Sequence, residues 1–146
     1  MRFAFEPSTA ATFEELAVWR YPAPYDFYDG DVEPVLNPER FWDARDEAGV
    51  LVGFLYFEDK GSGALEIGLG LRPDLTGQGL GLEFFRAGLD FARAQFWPER
   101  IVLNVAGFNK RAIAVYERAG FRRTGAHVRS FERWGDVPFV EMELPP

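Results

Sequence analysis

With 146 residues, a net charge of −7, no cysteine and one histidine, the chain is sized for one domain, residues 1–146, with a sizeable core. An apolar fraction of 47% with 16% aromatics excludes a disordered chain. The missing cysteines exclude disulfides, thiolate zinc sites and a cysteine nucleophile, and a single His127 argues against a histidine-rich metal site or a serine–histidine triad, so no metal is expected.

No apolar run approaches membrane-spanning length and no charged-then-apolar leader opens the chain, so a soluble, cytoplasmic protein without a membrane partner is expected. Residues 1–60 hold 13 acids against 5 bases, whereas residues 61–146 hold 10 against 11. This balance disfavours nucleic acid and suits a polyanion on the later half and a cation on the earlier one. Acids that merely keep the surface soluble explain the first half equally well.

In chain order, Phe3 to Glu6 reads as a strand and residues 12 to 19 as a helix capped by Ser8 or Thr9. The stretch from Trp19 to Tyr28 is proline-rich and unusually aromatic for a loop. Three strands follow as an antiparallel meander, Phe41 to Asp46, Val50 to Glu58 and Ala64 to Leu71, with turns at 47–49 and 59–63. A helix from Gly79 to about Phe96 has apolar residues at 82, 85, 89, 92 and 96, opposite a ladder of Glu83, Arg86, Asp90 and Arg93. Ile101 to Val105 reads as a buried strand with one polar intruder, Asn104. Asn109 to Ala119 reads as a helix with an asparagine N-cap and Gly120 as C-cap. Residues 121 to 132 and 137 to 144 close the chain as a hairpin across Trp134-Gly135-Asp136. The fold class expected is α+β, a mixed and mostly antiparallel central sheet with helices on both faces.

The most informative segment is TGQGLG, Thr76 to Gly81, between a strand and a strongly amphipathic helix. Glycines at 77, 79 and 81 let an anion approach the backbone, and the helix start adds free N–H groups and the positive end of a dipole. Together they make a phosphate site. A dinucleotide fingerprint would need glycine at 82 or 84, where Leu82 and Phe84 stand, and a Walker loop needs a Gly-Lys pair that is absent.

About thirty residues on comes NVAGFNKRAIAVYERAGF, Asn104 to Phe121. The two segments together resemble the GNAT superfamily of acetyl-CoA-dependent N-acetyltransferases. That family's cofactor motif is Gln/Arg-x-x-Gly-x-Gly/Ala, and its later motif is an asparagine opening a helix, a tyrosine on it and a Gly-Phe closing it. Asn109, Tyr116 and Gly120-Phe121 stand in that order. One departure is Thr76, where the motif has Gln or Arg. The resemblance spans about residues 41 to 144.

The resemblance implies acetyl-CoA as co-substrate, held by Thr76, Gly77, Gln78, Gly79, Leu80, Gly81 and Leu82. It implies pantetheine contacts to the backbone of Leu69 and Leu71, and a further role for Asn109 beside the helix cap. Lys110 and Arg111 are candidates for the remaining phosphate, or are plain solvated bases. Tyr116 resembles the family's acid for the leaving thiolate, against its plainer reading as a packed tyrosine.

Glu66 is the base candidate. Leu65, Ile67, Leu69 and Leu71 share one face of their strand, and Ala64, Glu66, Gly68 and Gly70 the other. A lone carboxylate on a face otherwise stripped of side chains suggests that something else fills that space; a solvated glutamate beside helix-admitting glycines is the alternative. For the acceptor, Trp19, Tyr21, Tyr25, Asp26, Tyr28 and Asn104 are candidates for an acidic aromatic cleft, or the aromatic stretch is a lid packed on the core.

Together these imply acetyl transfer to a primary amine, small-molecule or peptide, by direct attack in a ternary complex. A non-catalytic acyl-CoA sensor and a transferase of longer acyl chains stay open, as does a homodimer paired through the last hairpin. His127 is read as an ordinary strand residue.

Overall fold

The computed structural model describes residues 1–29 and 37–146. Seven strands form one sheet: β1 (Ala4–Pro7), β2 (Phe41–Arg45), β3 (Leu51–Gly61), β4 (Ala64–Leu71), β5 (Arg100–Ala106), β6 (Arg122–Phe131) and β7 (Gly135–Leu144). Among the described residues three α-helices accompany them: α1 (Ala10–Leu16), α2 (Gly81–Phe96) and α3 (Lys110–Arg118). The strand order is β1-β2-β3-β4-β5-β7-β6, antiparallel throughout except between β4 and β5. The α+β expectation, mixed and mostly antiparallel, holds.

Alternation along the strands decides the layers. On one face Leu55, Phe57, Leu65, Ile67, Ile101, Leu103 and Met142 pack with Phe84, Phe85, Leu89 and Ala92 of α2 and Ile113 of α3 in one buried cluster. The predicted periodicity of α2 omitted Phe84 and Gly88, both buried, and included Phe96, which is exposed. Gly88 is there for space: a Cβ would come within 3.1 Å of Leu55 Cδ2. The helix stops at Trp97, whose left-handed backbone (φ 50°) closes the last turn ahead of Pro98.

The opposite face carries α1, anchored by Phe13 edge-on to Phe41 and by Asp43. The Asp43 carboxylate, 1% exposed, accepts from Ser8 Oγ at 2.8 Å and Thr12 Oγ1 at 2.7 Å and pairs with Arg45 at 2.7 Å. A buried charge is tolerated only with such a full set of partners. This helix is shorter than the predicted 12–19 and starts earlier, because Thr9 and Thr12 form the capping box. The last hairpin also differs: Gly135 and Asp136 join β7, and residues 132–134 make the turn.

The space over Gly68 and Gly70, expected to be filled from outside their own strand, holds two rings. Tyr56 and Phe54 sit directly across from them on β3, and their rings cover the glycines. The glycines admit aromatic neighbours from the next strand and still line the cleft.

What positions the site is the break in the sheet. β4 and β5 pair only at Ala64–Arg100, Leu65–Ile101 and Glu66–Val102. β5 then continues beside β7 through Ala106. Past Glu66 the two central strands part, and a cleft opens between them.

Candidate active site

A cleft of about 1690 Å³ runs from the glycine loop through the split to the β6–β7 turn. Its first end is the predicted anion loop. Gly77 (φ +73°) and Gly79 (φ +79°) take backbone conformations that disfavour side chains. A Cβ at Gly79 would meet no atom within 4 Å, so a cradle of bare backbone faces outward. The loop leads into α2 at Leu80, which offers no side-chain cap, leaving the first amides of the helix for another acceptor. Arg111 Nη1 stands 3.4 Å from the position a Gly77 Cβ would take, and its guanidinium stacks 4.3 Å above the Tyr25 ring. A diphosphate fits these groups: amides, a helix N-terminus and one guanidinium.

Within the loop, two side chains serve the turn itself. Thr76 Oγ1 donates to Pro73 O at 2.7 Å, and Gln78 Nε2 donates to Asp74 O at 2.6 Å. Gln78 and Leu80 do not line the cleft; Thr76, Gly77, Gly79, Gly81 and Leu82 do.

Along the split, Leu69 and Leu71 line the wall. The Leu71 carbonyl accepts from the Tyr21 hydroxyl at 2.8 Å, so Tyr21 holds the end of β4. Burial and the neighbouring Asp29 push the Tyr21 hydroxyl well above the ordinary phenol range. Asn109 caps α3 by accepting from Ala112 N at 3.1 Å, and its Nδ2 donates to the Tyr28 hydroxyl at 3.0 Å. One asparagine thereby ties the cofactor-side helix to the aromatic segment.

Tyr116 lies two turns into α3, with its ring 4.7 Å from Phe85. Gly120 (φ +103°) ends the helix, and Phe121 N returns to Tyr116 O at 3.0 Å. Among the described residues the Tyr116 hydroxyl meets no hydrogen-bond partner. Burial, with Tyr28 nearby, raises it above the ordinary phenol range, so it stays protonated across neutral pH.

At the far end Glu66 and Asn104 come together just past the last paired rung, Glu66–Val102: Asn104 Nδ2 donates to Glu66 Oε1. Beside them Tyr56 donates to Glu58 Oε2 at 2.8 Å, and burial and that carboxylate raise the Tyr56 hydroxyl. Tyr21, Tyr25 and Tyr28 also line the cleft, held at Leu71, Arg111 and Asn109 respectively.

Two acceptor candidates sit apart from the tyrosines. Trp19 borders the cleft but is only 8% exposed, a packed residue by its burial. Asp26 does not line the cleft; it turns to Arg133 at 3.6 Å, because the 3-10 turn Tyr25–Tyr28 drives Phe27 inward instead. Phe27 packs at 5.0 Å on Phe131 and 5.4 Å on Phe108.

A polar row on β6 and β7 escaped the sequence reading. His127 Nδ1 lies 2.7 Å from Glu141 Oε2, and Arg129 Nε donates to His127 Nε2 at 2.9 Å. Since Nε2 accepts, Nδ1 carries the proton and donates to Glu141. Glu141 sits directly across from Asn104. Strand alternation puts Glu141, Phe139 and Asn104 on one face only once the β5–β7 register is known, and no local motif supplies that register.

The family model described as "Acetyltransferase (GNAT) family" matches residues 10–121. The chain belongs to the GNAT acetyltransferase family. A mycothiol acetyltransferase of Salinispora tropica is 40% identical over 101 residues, covering 66% of this chain and 33% of that protein. The chain thus spans about a third of the length of the mycothiol acetyltransferases it matches. An L-methionine sulfoximine/L-methionine sulfone acetyltransferase of Pseudomonas aeruginosa is 31% identical over 111 residues, covering 70% of this chain and 64% of that protein. Among solved structures, spermidine N-acetyltransferase of Vibrio cholerae in complex with CoA and spermine superposes with a TM-score of 0.74 at 19% identity, over 97% of this chain and 94% of that one. The GNAT fold, with its split β4–β5 pair, is therefore the fold of this chain. No helix among the described residues is long and apolar enough to cross a membrane.

Proposed function

We propose that the chain is an N-acetyltransferase that moves an acetyl group from acetyl-CoA to a primary amine by direct attack in a ternary complex. The observation that carries this reading is the continuity of one cleft, from the Gly77–Leu82 anion loop through the strand split to the Glu66–Asn104 pair. When bound, acetyl-CoA supplies an activated thioester, so positioning contributes much of the rate. The loop amides, with Arg111 beside them, hold the phosphates. The inner edge of β4 beyond Glu66 offers backbone groups to the pantetheine arm. Tyr21 shares that edge at Leu71, so it shifts or contributes when the arm is seated.

The amine nitrogen bonds to the thioester carbon and the carbon–sulfur bond breaks. Glu66, steadied by Asn104, takes the amine proton directly or through water; Tyr116, kept protonated by burial, gives its proton to the departing thiolate. With Glu66→Gln, turnover should climb about tenfold per pH unit up to the amine's own pKa, because solution must then supply the neutral amine. With Tyr116→Phe, turnover should fall roughly 10- to 100-fold while acetyl-CoA affinity holds. Thiol release in the presence of a panel of amines is the assay. Tight acetyl-CoA binding with no release to any amine would favour the sensor reading instead.

The relatives and neighbours named above act on small amines by their names, and this supports a small-molecule acceptor. Edge strand β6 leaves one side unpaired among the described residues, and a second copy adding there would give a homodimer. Sedimentation of the purified chain reads that state.

A further inference from the structure

We propose that Arg129 is a carboxylate anchor in the acceptor end of the cleft, so that the amine received there belongs to an amino acid with an apolar side chain. The inference rests on the acetyltransferase reading and adds a substrate class to it.

The cations that line this end sort themselves by partner. Lys60 lies 3.8 Å from Glu58, Arg100 lies 3.2 Å from Glu143 and Arg133 lies 3.6 Å from Asp26. Arg129 differs: among the described residues no carboxylate reaches its guanidinium. Its hold is of another kind. Nε donates to His127 Nε2 at 2.9 Å, and the guanidinium lies flat over Phe139, 4.4 Å from the ring centroid. His127 is itself fixed, parallel to Phe139 at 5.6 Å and bonded to Glu141. The exposed Arg129 side chain is thereby held at Nε and over a ring, while both terminal nitrogens keep their protons to donate. A guanidinium held in that way presents the fork that matches a carboxylate.

The place is right for the second end of a short zwitterion. Asn104 pairs with Glu141, and Phe139 is two residues along β7 on the same face, a diagonal neighbour. Diagonal neighbours lie within reach of long side chains, and Glu66, Asn104, Phe139 and Arg129 all line the one cleft. Phe131 and Trp134, on the same cleft wall, offer an apolar surface to the third substituent.

The test is calorimetric titration of the coenzyme A-loaded protein with L-methionine, L-leucine and L-phenylalanine. Each is set beside its α-amide and the amine lacking the carboxyl group. At least one acid should bind roughly 10- to 100-fold more tightly than both counterparts, the range of a charge-assisted pair. Arg129→Gln should erase that difference, Arg129→Lys should restore part of it, and coenzyme A affinity should stay the same in both variants. The proposal is overturned if no acid binds, if amide or bare amine binds as well as its acid, or if Arg129→Gln leaves the preference intact. Thiol release to amines lacking a carboxylate, at or above the rate with the acids, would sink the anchor while leaving acetyl transfer standing. Absence of acetyl-CoA binding would sink acetyl transfer itself.

Discussion

Gly79→Asp puts a carboxylate where the cofactor's diphosphate is expected. Gly79 has φ +79° and open space around a Cβ, so the substitution brings no clash. Aspartate and asparagine tolerate this backbone region better than other side chains, at a cost of about 1 kcal/mol. For a chain of this length that lowers Tm by roughly 2–4 °C. A carboxylate about 5 Å from a phosphate, at an effective dielectric constant of about 20, is repelled by about 3 kcal/mol per phosphate charge. That is roughly two orders of magnitude in Kd. Gly79→Asn is the matched control, since it strains the backbone equally without the charge. Calorimetry with acetyl-CoA at low ionic strength should show aspartate binding at least 100-fold more weakly than asparagine, with the gap narrowing as salt screens it. Both variants should unfold within a few degrees of each other. If the folded aspartate variant binds within threefold of wild type, no phosphate lies at this loop and the anion site is refuted.

Gly88→Val should destabilise the fold by about 1–3 kcal/mol, since its branches enter space held by Leu55 and Ile67; denaturant unfolding measures this. Alkaline stability carries a sign that can be checked. Tyr21, Tyr56 and Tyr116 all have hydroxyls raised by burial, so their contribution is full below the unfolded tyrosine's pKa of about 10 and is lost as pH rises above it. Thermal unfolding between pH 8 and 11 should show Tm falling from about pH 10, and Tyr116→Phe should flatten that fall.

The strands and both long helices were legible because their signals are local. Alternation marked β4, Asn109 and Gly120 bracketed α3, and the glycines announced the loop ahead of α2. What stayed hidden depended on pairing between distant strands. Gly68 and Gly70 suggested that something beyond their own strand fills the space above them, and only the β3 register shows that Tyr56 and Phe54 do so. His127 looked ordinary because its partners, Glu141 and Arg129, become a row only when β6 and β7 align. Asp26 shared an acidic aromatic stretch with Tyr25 and Tyr28, yet a single turn of 3-10 helix sends it the other way. Composition names the ingredients of such a wall but not which of them face inward.

The three-rung pairing of β4 and β5 makes the sheet two sheets that share a seam. Main-chain groups that normally lie unpaired only at a sheet's border here line an interior furrow, and an extended chain of any origin could pair with them. The Tyr21 hydroxyl covers one such group, the Leu71 carbonyl. A ligand whose amides run along β4 would act as an eighth strand made of something other than protein. It would lace the halves together and remove a sticky edge in the same act. Cofactor supply would then govern the protein's rigidity and its resistance to self-association as directly as it governs turnover.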